Sequence, residues 1–198
     1  MNKRDFWYIK DNMFSKGHNS DFKSDNLGFG HIHYAMIRNI RPSNILVIGS
    51  QRGFVPAVCG IACRDNGFGV VDFVDAGKGL NDDNSWGGIG LWKRVGQEYW
   101  KLLELENIIT THVMKIQDFK TDVKYQYAYV DGDHSYEGVK YDYKFCRRHM
   151  DEGYIVFHDV LIDKKNQYGQ CGVKKFWNEL KGEKIDLPFD FGLGVLQI

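Results

Sequence analysis

From residue 45 onwards the chain alternates short apolar runs with stretches of helical periodicity, and this alternation limits its fold more than any other feature. Residues 45–48 form an unbroken apolar run that stops at a glycine, as is typical of a strand buried on both faces. Similar runs recur at 70–74, 108–114, 125–130 and 154–157, with helical patterns between most of them. Strands that alternate with helices form βαβ units, so the sequence predicts a parallel sheet.

Helical patterns lie at 27–40, 54–63, 98–105, 135–150 and 173–180. Because right-handed crossovers put such helices on both faces of a parallel sheet, we predict a doubly wound α/β fold. Residues 1–26 are polar with scattered aromatic side chains and show no clean period. We therefore divide the chain into an N-terminal arm, 1–26, and one domain, 27–198. The arm is expected to be irregular and to lie on the surface, or else to act as a lid or dimer contact.

Composition excludes several classes of protein. The chain has 198 residues, of which 43% are hydrophobic and 26% charged, which fits a single globular domain. Lys plus Arg and Asp plus Glu are both 26, so no global field exists to attract a nucleic acid. No apolar stretch is long enough for a membrane span, and the N-terminus does not resemble a signal peptide. The 4 Cys include no C-x-x-C pair, which favours buried, reduced thiols and a cytoplasmic protein.

Polar residues and glycines gather where the predicted strands end, and in open α/β sheets ligands bind at that edge. The first such segment is the loop from Gly49 and Ser50 to Gly53, which leads from a strand into a helix and suits close approach to a ligand. Asp75 closes the second strand, where a carboxylate commonly binds ribose hydroxyls. We prefer it to Asp72, which lies inside the strand.

The second group of polar residues follows two neighbouring strands. Asp131, Asp133 and His134 come directly after the fourth predicted strand, and His158-Asp159 ends the fifth. An acidic helix N-terminus would explain the first set without any function. However, carboxylates brought together at adjacent strand ends are costly unless a cation or strong hydrogen bonds offset their charge. The pattern therefore favours a divalent metal; oxygen ligands suit Mg²⁺, whereas a histidine ligand favours Mn²⁺ or Fe²⁺.

Together these segments resemble the class I S-adenosylmethionine-dependent methyltransferases, over about residues 27–198. The most specific stretches are VDGDHSYEGVKYD and, further on, GYIVFHDV. They are most similar to the macrocin-type sugar O-methyltransferases and more distantly to the catechol-type enzymes. The resemblance implies a Rossmann-like, mostly parallel seven-stranded sheet whose antiparallel last strand, FGLGVLQI, lies next to the fifth. It also implies methyl transfer from S-adenosylmethionine to a hydroxyl of a small molecule. From the charge balance and the apolar stretches we expect neither nucleic acid nor membrane as a partner.

The resemblance also implies roles for the residues that bind the cofactor. Gly49, Ser50 and Gly53 match the loop that wraps the methionine part of S-adenosylmethionine, and Asp75 matches the acid that binds its ribose. Asp118, just after the third strand, matches the acid that meets the adenine amine.

A second set of implied roles concerns the metal and the chemistry. In the metal-dependent relatives, a divalent cation (Mg²⁺ or Mn²⁺) is held by residues that fall on Asp131, His158 and Asp159. His134 matches the general base of the sugar-modifying members. We expect Asp131 and His134 to be the catalytic residues, and Asp131 to border the cofactor as well.

The chain departs from the family pattern at three positions. Val47 stands where an acid is usual before the loop, Gln51 replaces a glycine, and His158 replaces a more usual acid. The glycine-rich segment 78–96, which contains Trp86 and Trp92, suggests either a surface loop or a lid with aromatic faces for a ring-shaped acceptor.

Three rival interpretations remain open from the sequence alone. Gly132-Asp133-His134 and His158-Asp159 would also suit a metal-dependent phosphoesterase, although a two-metal site needs more ligands than these strand ends offer. The departures at Val47 and Gln51 would suit a module that binds S-adenosylmethionine without catalysis. Tyr136 and Lys140 have the spacing of a short-chain reductase, but the glycine loop lacks the third glycine. The oligomeric state is open, and the aromatic arm would allow a homo-oligomer.

Overall fold

A computed structural model describes residues 1–13, 17–21, 23–77, 91–163, 165–166 and 169–198. The first five strands are β1 (Asn44–Ile48), β2 (Val70–Asp75), β3 (Ile109–Val113), β4 (Tyr127–Val130) and β5 (Tyr154–His158). A short hairpin of β6 (Lys165–Asn166) and β7 (Gly169–Gln170) comes next in the chain. The last two strands are β8 (Lys184–Leu187) and β9 (Leu193–Gln197). The α-helices are α1 (Lys3–Asn12), α2 (Phe29–Ile40), α3 (Phe54–Asn66), α4 (Tyr136–Arg148) and α5 (Val173–Glu179).

Seven of these strands form one sheet in the order β3-β2-β1-β4-β5-β9-β8. The five strands from β3 to β5 pair in parallel, whereas β9 is antiparallel to both β5 and β8. The predicted fold class is confirmed, including the antiparallel last strand beside β5. The chain builds outwards from β1 to β3 and then returns to β4, so the topological switch point lies between β1 and β4, where such folds bind ligands.

Each face of the sheet carries its own apolar core. In β1, Ile45 and Val47 contribute to the core that also contains α3, whereas Leu46 and Ile48 contribute to the core on the α4 and α5 side. Residues 54–63 of α3 are all buried. This burial explains why β1 is apolar throughout: a strand covered by helices on both sides has no polar face.

The arm is not irregular, contrary to our expectation, because residues 3–12 form helix α1. A capping box at Asn2 and Asp5 starts this helix, and its Ile9 is completely buried. The helical period was hidden because Asp5 is also completely buried, where it forms an ion pair with Arg64 of α3. No helix among the described residues is long and apolar enough to cross a membrane.

The structure also tests two local predictions, on the helix at 98–105 and on the cysteines, and adds elements that were not predicted. The expected helix at 98–105 is a 3-10 helix, Gln97–Leu103, and the short strand β8 and the β6–β7 hairpin were not predicted. Cys59, Cys63, Cys146 and Cys171 are all buried thiols outside any disulfide, as expected.

Candidate active site

The glycine loop after β1 adopts a backbone that needs glycine at two places. Gly49 has φ +72° and Gly53 has φ +83°, and both values lie in the left-handed region. A Cβ atom on Gly49 would lie only 2.2 Å from the carbonyl oxygen of Asp131, so the ends of β1 and β4 approach each other at van der Waals distance. Ser50 Oγ accepts a hydrogen bond (3.1 Å) from the backbone N–H of Val55 and so satisfies a donor in the first turn of α3.

Two tryptophan side chains pack against this loop. The indole N–H of Trp92 donates to the carbonyl oxygen of Gln51 (3.1 Å), and Trp92 stacks on Trp100 with centroids 5.4 Å apart. A Cβ on Gly53 would come within 2.9 Å of both rings. Trp92 is therefore buried, and the expectation that its face receives an acceptor ring is wrong. Trp86 and the rest of the expected lid at 78–90 lie outside the described residues.

The two departures in this region have different structural consequences. Val47 is completely buried in the core on the α3 side of the sheet. Gln51 keeps a left-handed backbone, with φ +38°, at the position where the family has a glycine. A left-handed backbone raises the conformational free energy of a non-glycine residue by about 1–2 kcal/mol. The loop therefore keeps the backbone geometry of a glycine at this position, but it is strained there.

The two candidate ribose acids have different surroundings. Asp75 lies beside the loop, where its carboxylate accepts hydrogen bonds from the backbone N–H groups of Gly77 (2.8 Å) and Ser50 (3.4 Å). Burial raises the pKa of Asp75, and these two hydrogen bonds partly offset that effect. Asp72 instead binds His112 Nε2 (2.7 Å) and the Tyr125 hydroxyl (2.8 Å), which gives it a structural role within the sheet.

Asp118 lies apart from the other predicted residues. It is exposed, in a turn after β3 whose backbone is closed by the hydrogen bond from Asp118 N–H to Lys115 O (2.9 Å). No hydrogen bond or ion pair found among the described residues connects its side chain to the polar residues at the ends of β4 and β5.

Two carboxylates and two imidazoles converge at the ends of β4 and β5. His134 Nε2 lies 2.7 Å from Asp159 Oδ2 and 3.2 Å from Asp131 Oδ1. His158 Nδ1 lies 3.0 Å from Asp159 Oδ1 and 3.4 Å from Asp131 Oδ1. The structure thus brings together four of the five polar residues that the sequence placed at these strand ends, and we call these four the strand-end cluster. The fifth, Asp133, lies outside the cluster and accepts a hydrogen bond from Ser135 N–H (2.9 Å).

Neighbouring elements fix the orientation of each member of this cluster. The hydroxyl of Tyr129, inside β4, donates to Asp131 Oδ2 (3.1 Å). Asp159 has φ +62°, a left-handed backbone conformation that Asp tolerates better than most residues. The carbonyl of His134 accepts from Gly172 N–H (2.8 Å), while Ser135 caps α4 through the N–H of Gly138 (3.0 Å).

The electrostatics of the cluster follow from burial and close opposite charges. Burial alone would raise the pKa values of Asp131 and Asp159, but His158 and His134 outweigh it and lower both, that of Asp159 to about 2. Burial alone would lower the pKa values of the two histidines, yet the carboxylates raise that of His134 to about 10 and that of His158 well above 6.5. Two anions and two cations therefore balance one another at neutral pH.

The N-terminal arm contributes two residues that sequence reasoning missed. Gly17 accepts a hydrogen bond through its carbonyl oxygen from His158 Nε2–H (2.9 Å), and the ring of His18 stacks on that of His158. Burial lowers the pKa of His18 well below 6.5, and the nearby His158 lowers it further. A lone Gly-His pair in a polar segment carries no sequence signal strong enough to predict these contacts.

The donor atoms of the cluster fit a divalent cation. Because His158 Nε2–H donates to Gly17, Nδ1 is the nitrogen that faces the carboxylates. In the arrangement described above Nδ1 also carries a proton, which a bound cation would replace, leaving the fixed tautomer that is usual for a ligating histidine. His158 Nδ1 and Asp159 Oδ1 are buried and make no well-directed hydrogen bond to any described residue. Asp131, His134 and Asp159 each offer one possible ligand atom, and these three atoms lie within 4.8 Å of one another. Carboxylate oxygens and imidazole nitrogens together suit Mn²⁺ and Fe²⁺ better than Mg²⁺.

The class of this protein follows from the fold, the site and the match to a family. The family model described as "Methyltransferase domain" matches residues 46–160, which is more than half of the chain. The chain therefore belongs to this methyltransferase family, as the strand-end motifs suggested. A search of the curated proteins finds no match.

Solved structures with the same fold include three methyltransferases. The O-methyltransferase TomG from Streptomyces achromogenes, in complex with SAM, has a TM-score of 0.60 and 11% identity, with 98% of each chain covered. The O-methyltransferase from Bacillus cereus, in complex with SAH, has a TM-score of 0.65 and 11% identity, covering 100% of this chain and 92% of that one. The SAH-bound methyltransferase PaMTH1 from Podospora anserina has a TM-score of 0.65 and 14% identity, covering 100% of this chain and 89% of that one. At these identities the likeness is one of fold.

Proposed function

We propose that this protein is an S-adenosylmethionine-dependent O-methyltransferase that acts on a hydroxyl of a small molecule, a sugar or glycoside, with the help of a divalent metal ion. The observation that carries this proposal is the position of the strand-end cluster directly beside the glycine loop, where Gly49 and the backbone of Asp131 are in contact. Membership of the methyltransferase family and the names of the solved relatives support the transfer of a methyl group to oxygen.

The cofactor would lie between the glycine loop and Asp75. Its sulfonium supplies an electrophilic methyl group when it is bound. Gly49 and Gly53 leave the loop free of side chains, and Asp75 is held against the loop by its hydrogen bond from Ser50 N–H. Asp118, exposed after β3, would reach the adenine amine.

The metal would be held by Asp131, His158 and Asp159. When bound, it lowers the pKa of an acceptor hydroxyl and orients the hydroxyl, as divalent ions do for water. These side chains hold and orient the acceptor oxygen at the end of the sheet, and such positioning alone can supply about 7–11 kcal/mol of rate enhancement.

His134 would remove the proton from the acceptor hydroxyl at Nε2. In the arrangement described above its pKa is about 10, because Asp131 and Asp159 hold its proton. For His134 to lose this proton and act as a base, another positive charge has to neutralise those two carboxylates. This requirement links the base to the cation site, and it explains why a histidine and the proposed ligands share one cluster.

The preference for a sugar or glycoside rests on the motif VDGDHSYEGVKYD, whose His134 lies three residues after Asp131 as in the macrocin-type enzymes. The experiment is to incubate the purified chain with S-adenosylmethionine, Mg²⁺ or Mn²⁺, and a panel of glycosides and catechols, and to measure S-adenosylhomocysteine. We expect product with a glycoside and its loss in excess chelator. Full activity in chelator would contradict the metal role, and binding without any product would indicate a silent module. Hydrolysis of a generic phosphate ester in place of methyl transfer would indicate the phosphoesterase.

A further inference from the structure

The N-terminal arm covers the strand-end cluster with a buried histidine. His18 is 2% exposed, and its ring lies parallel to that of His158, with centroids 4.4 Å apart and planes 16° apart. Its other ring neighbours include Phe54, at the start of α3, with centroids 4.8 Å apart. This polar side chain of the arm is thus placed between the core and the proposed metal ligands.

The ring nitrogens of His18 have few partners in this position. His18 Nδ1 is buried and makes no hydrogen bond to any residue that the structure describes. One of its ring nitrogens lies within 4.8 Å of an Asp131 oxygen and of a His158 nitrogen. A buried imidazole with an unsatisfied nitrogen is costly unless something binds that nitrogen.

The backbone around His18 is fitted to this place. Gly17 has φ +86°, and a Cβ on it would lie 2.3 Å from Phe191 and 2.9 Å from His158, so only glycine allows the arm to approach so closely. His18 O accepts from Phe29 N–H (2.7 Å), and Asn19 N–H donates to Asp190 Oδ2 (3.0 Å). The position of His18 is therefore fixed from both sides by contacts with distant parts of the chain.

We propose that His18 is a metal ligand supplied by the N-terminal arm. It would join the proposed ligands Asp131 and His158, because the ligand atoms of these three residues lie within 4.8 Å of one another. This inference rests on the metal site of the proposed function and changes its selectivity. With histidine nitrogens added to the carboxylates, the site prefers Mn²⁺, Fe²⁺ or Co²⁺ to Mg²⁺. Metal binding would also hold the arm in place over the site.

The test uses Co²⁺ as the probe, with the full chain stripped of metal. Co²⁺ binding is followed by visible absorption, which reports the type and number of ligands, and Mg²⁺ is added as a competitor. The variants are His18→Phe, which keeps an aromatic ring for packing, and His18→Gln, which keeps a polar side chain. His31→Phe is the control, because His31 is an exposed histidine on α2. Circular dichroism confirms that each variant is folded.

We expect both His18 variants to bind Co²⁺ at least about tenfold more weakly than the unchanged chain, with an altered spectrum. The His31→Phe control should behave as the unchanged chain does, and Mg²⁺ should displace Co²⁺ only in large excess. Amide exchange of residues 17–21 should slow when Co²⁺ binds.

Wild-type affinity and spectrum in both His18 variants would overturn the inference. If Asp159→Asn still abolished Co²⁺ binding, the proposed function would keep its metal site without His18. A chain that binds neither Co²⁺ nor Mg²⁺ would overturn the metal role and the inference together.

Discussion

The glycine loop and the strand-end cluster lie in contact but are built in different ways. The loop consists of residues close in sequence, and its shape is set by backbone conformation at Gly49 and Gly53 and by hydrogen bonds to Ser50. The cluster combines the ends of two strands with the N-terminal arm, through the contacts of Gly17 and His18. Binding the cofactor would therefore depend on local backbone geometry, whereas the chemistry would depend on long-range contacts.

This difference predicts that the two regions respond separately to substitution, except where they touch. Replacing a charged side chain of the cluster other than Asp131 should impair catalysis and leave cofactor binding intact. Changes at the backbone contact between Gly49 and Asp131 should affect both.

The largest effect is expected for Asp159→Asn. Loss of one carboxylate removes a proposed metal ligand, so methyl transfer should fall at least about 100-fold, measured as S-adenosylhomocysteine production with the acceptor panel. Calorimetric binding of S-adenosylhomocysteine should be unchanged. Asp133→Asn is the matched control, since Asp133 accepts from Ser135 N–H (2.9 Å) and an amide oxygen can replace it. Equal losses in both variants would contradict the assignment.

His134→Gln should lower kcat about 100-fold, which is the usual contribution of a general base. The KM for S-adenosylmethionine and the affinity for the metal should change little, because Asp131, His158 and Asp159 remain. Steady-state kinetics at several pH values would test this. Normal turnover in the variant would exclude His134 as the base.

Gly49→Ala should damage both regions at once. The new Cβ would lie 2.2 Å from Asp131 O in a left-handed backbone, so we expect a loss of at least about 2 kcal/mol in the free energy of unfolding. Gly67→Ala is the control, because Gly67 has a similar φ of +64° but no atom within 4 Å of its Cβ position. Urea unfolding of the two variants separates the clash from the conformational strain. Equal losses would show that the contact with Asp131 is unimportant.

Asp142→Asn should change how stability depends on pH. Burial, and then the charge of Asp133, raise the pKa of Asp142 to about 8, from 3.8 for the ordinary group. The folded state thus keeps a proton that the unfolded state releases, so stability falls as pH rises from about 4 to about 8. The stability of the variant should depend less on pH across this window, and near pH 8 it should exceed that of the unchanged chain by several kcal/mol, since each unit of pKa shift corresponds to about 1.4 kcal/mol. Urea unfolding at pH 5 and pH 8 checks this, with exposed Asp151→Asn as the control. An unchanged pH slope would contradict it.

The smallest effect is expected for Gln51→Gly, which removes the strain at φ +38° in the loop. Glycine also gains freedom in the unfolded chain, so the net stabilisation should be about 0.5 kcal/mol, detectable as a higher urea midpoint. Destabilisation would mean that the side chain of Gln51 makes contacts that outweigh its backbone strain.

Much of the fold could be predicted because its central strands are covered on both sides. Buried strands such as β1 and β4 read as continuous apolar runs, and the helices that follow them keep a clear period. The edge strand β8 was missed because Ile185 is 60% exposed and the strand has no buried apolar face. Helix α1 was missed because a buried Asp5 interrupts its apolar stripe, and its partner Arg64 is distant in sequence.

The candidate site shows the same division. Asp131, His134, His158 and Asp159 could be predicted to meet because parallel strands end at one edge of a sheet. The contact of His18 with this cluster could not be predicted, because nothing in a polar arm indicates where it docks on the domain.

The most direct test of the account is a calorimetric titration of the full chain with S-adenosylhomocysteine, with and without Mn²⁺. The account predicts one binding event per chain in both conditions, and a separate heat for Mn²⁺ that disappears in Asp159→Asn. A chain that takes up neither S-adenosylhomocysteine nor Mn²⁺ would contradict the claim that the loop and the strand ends form one active site.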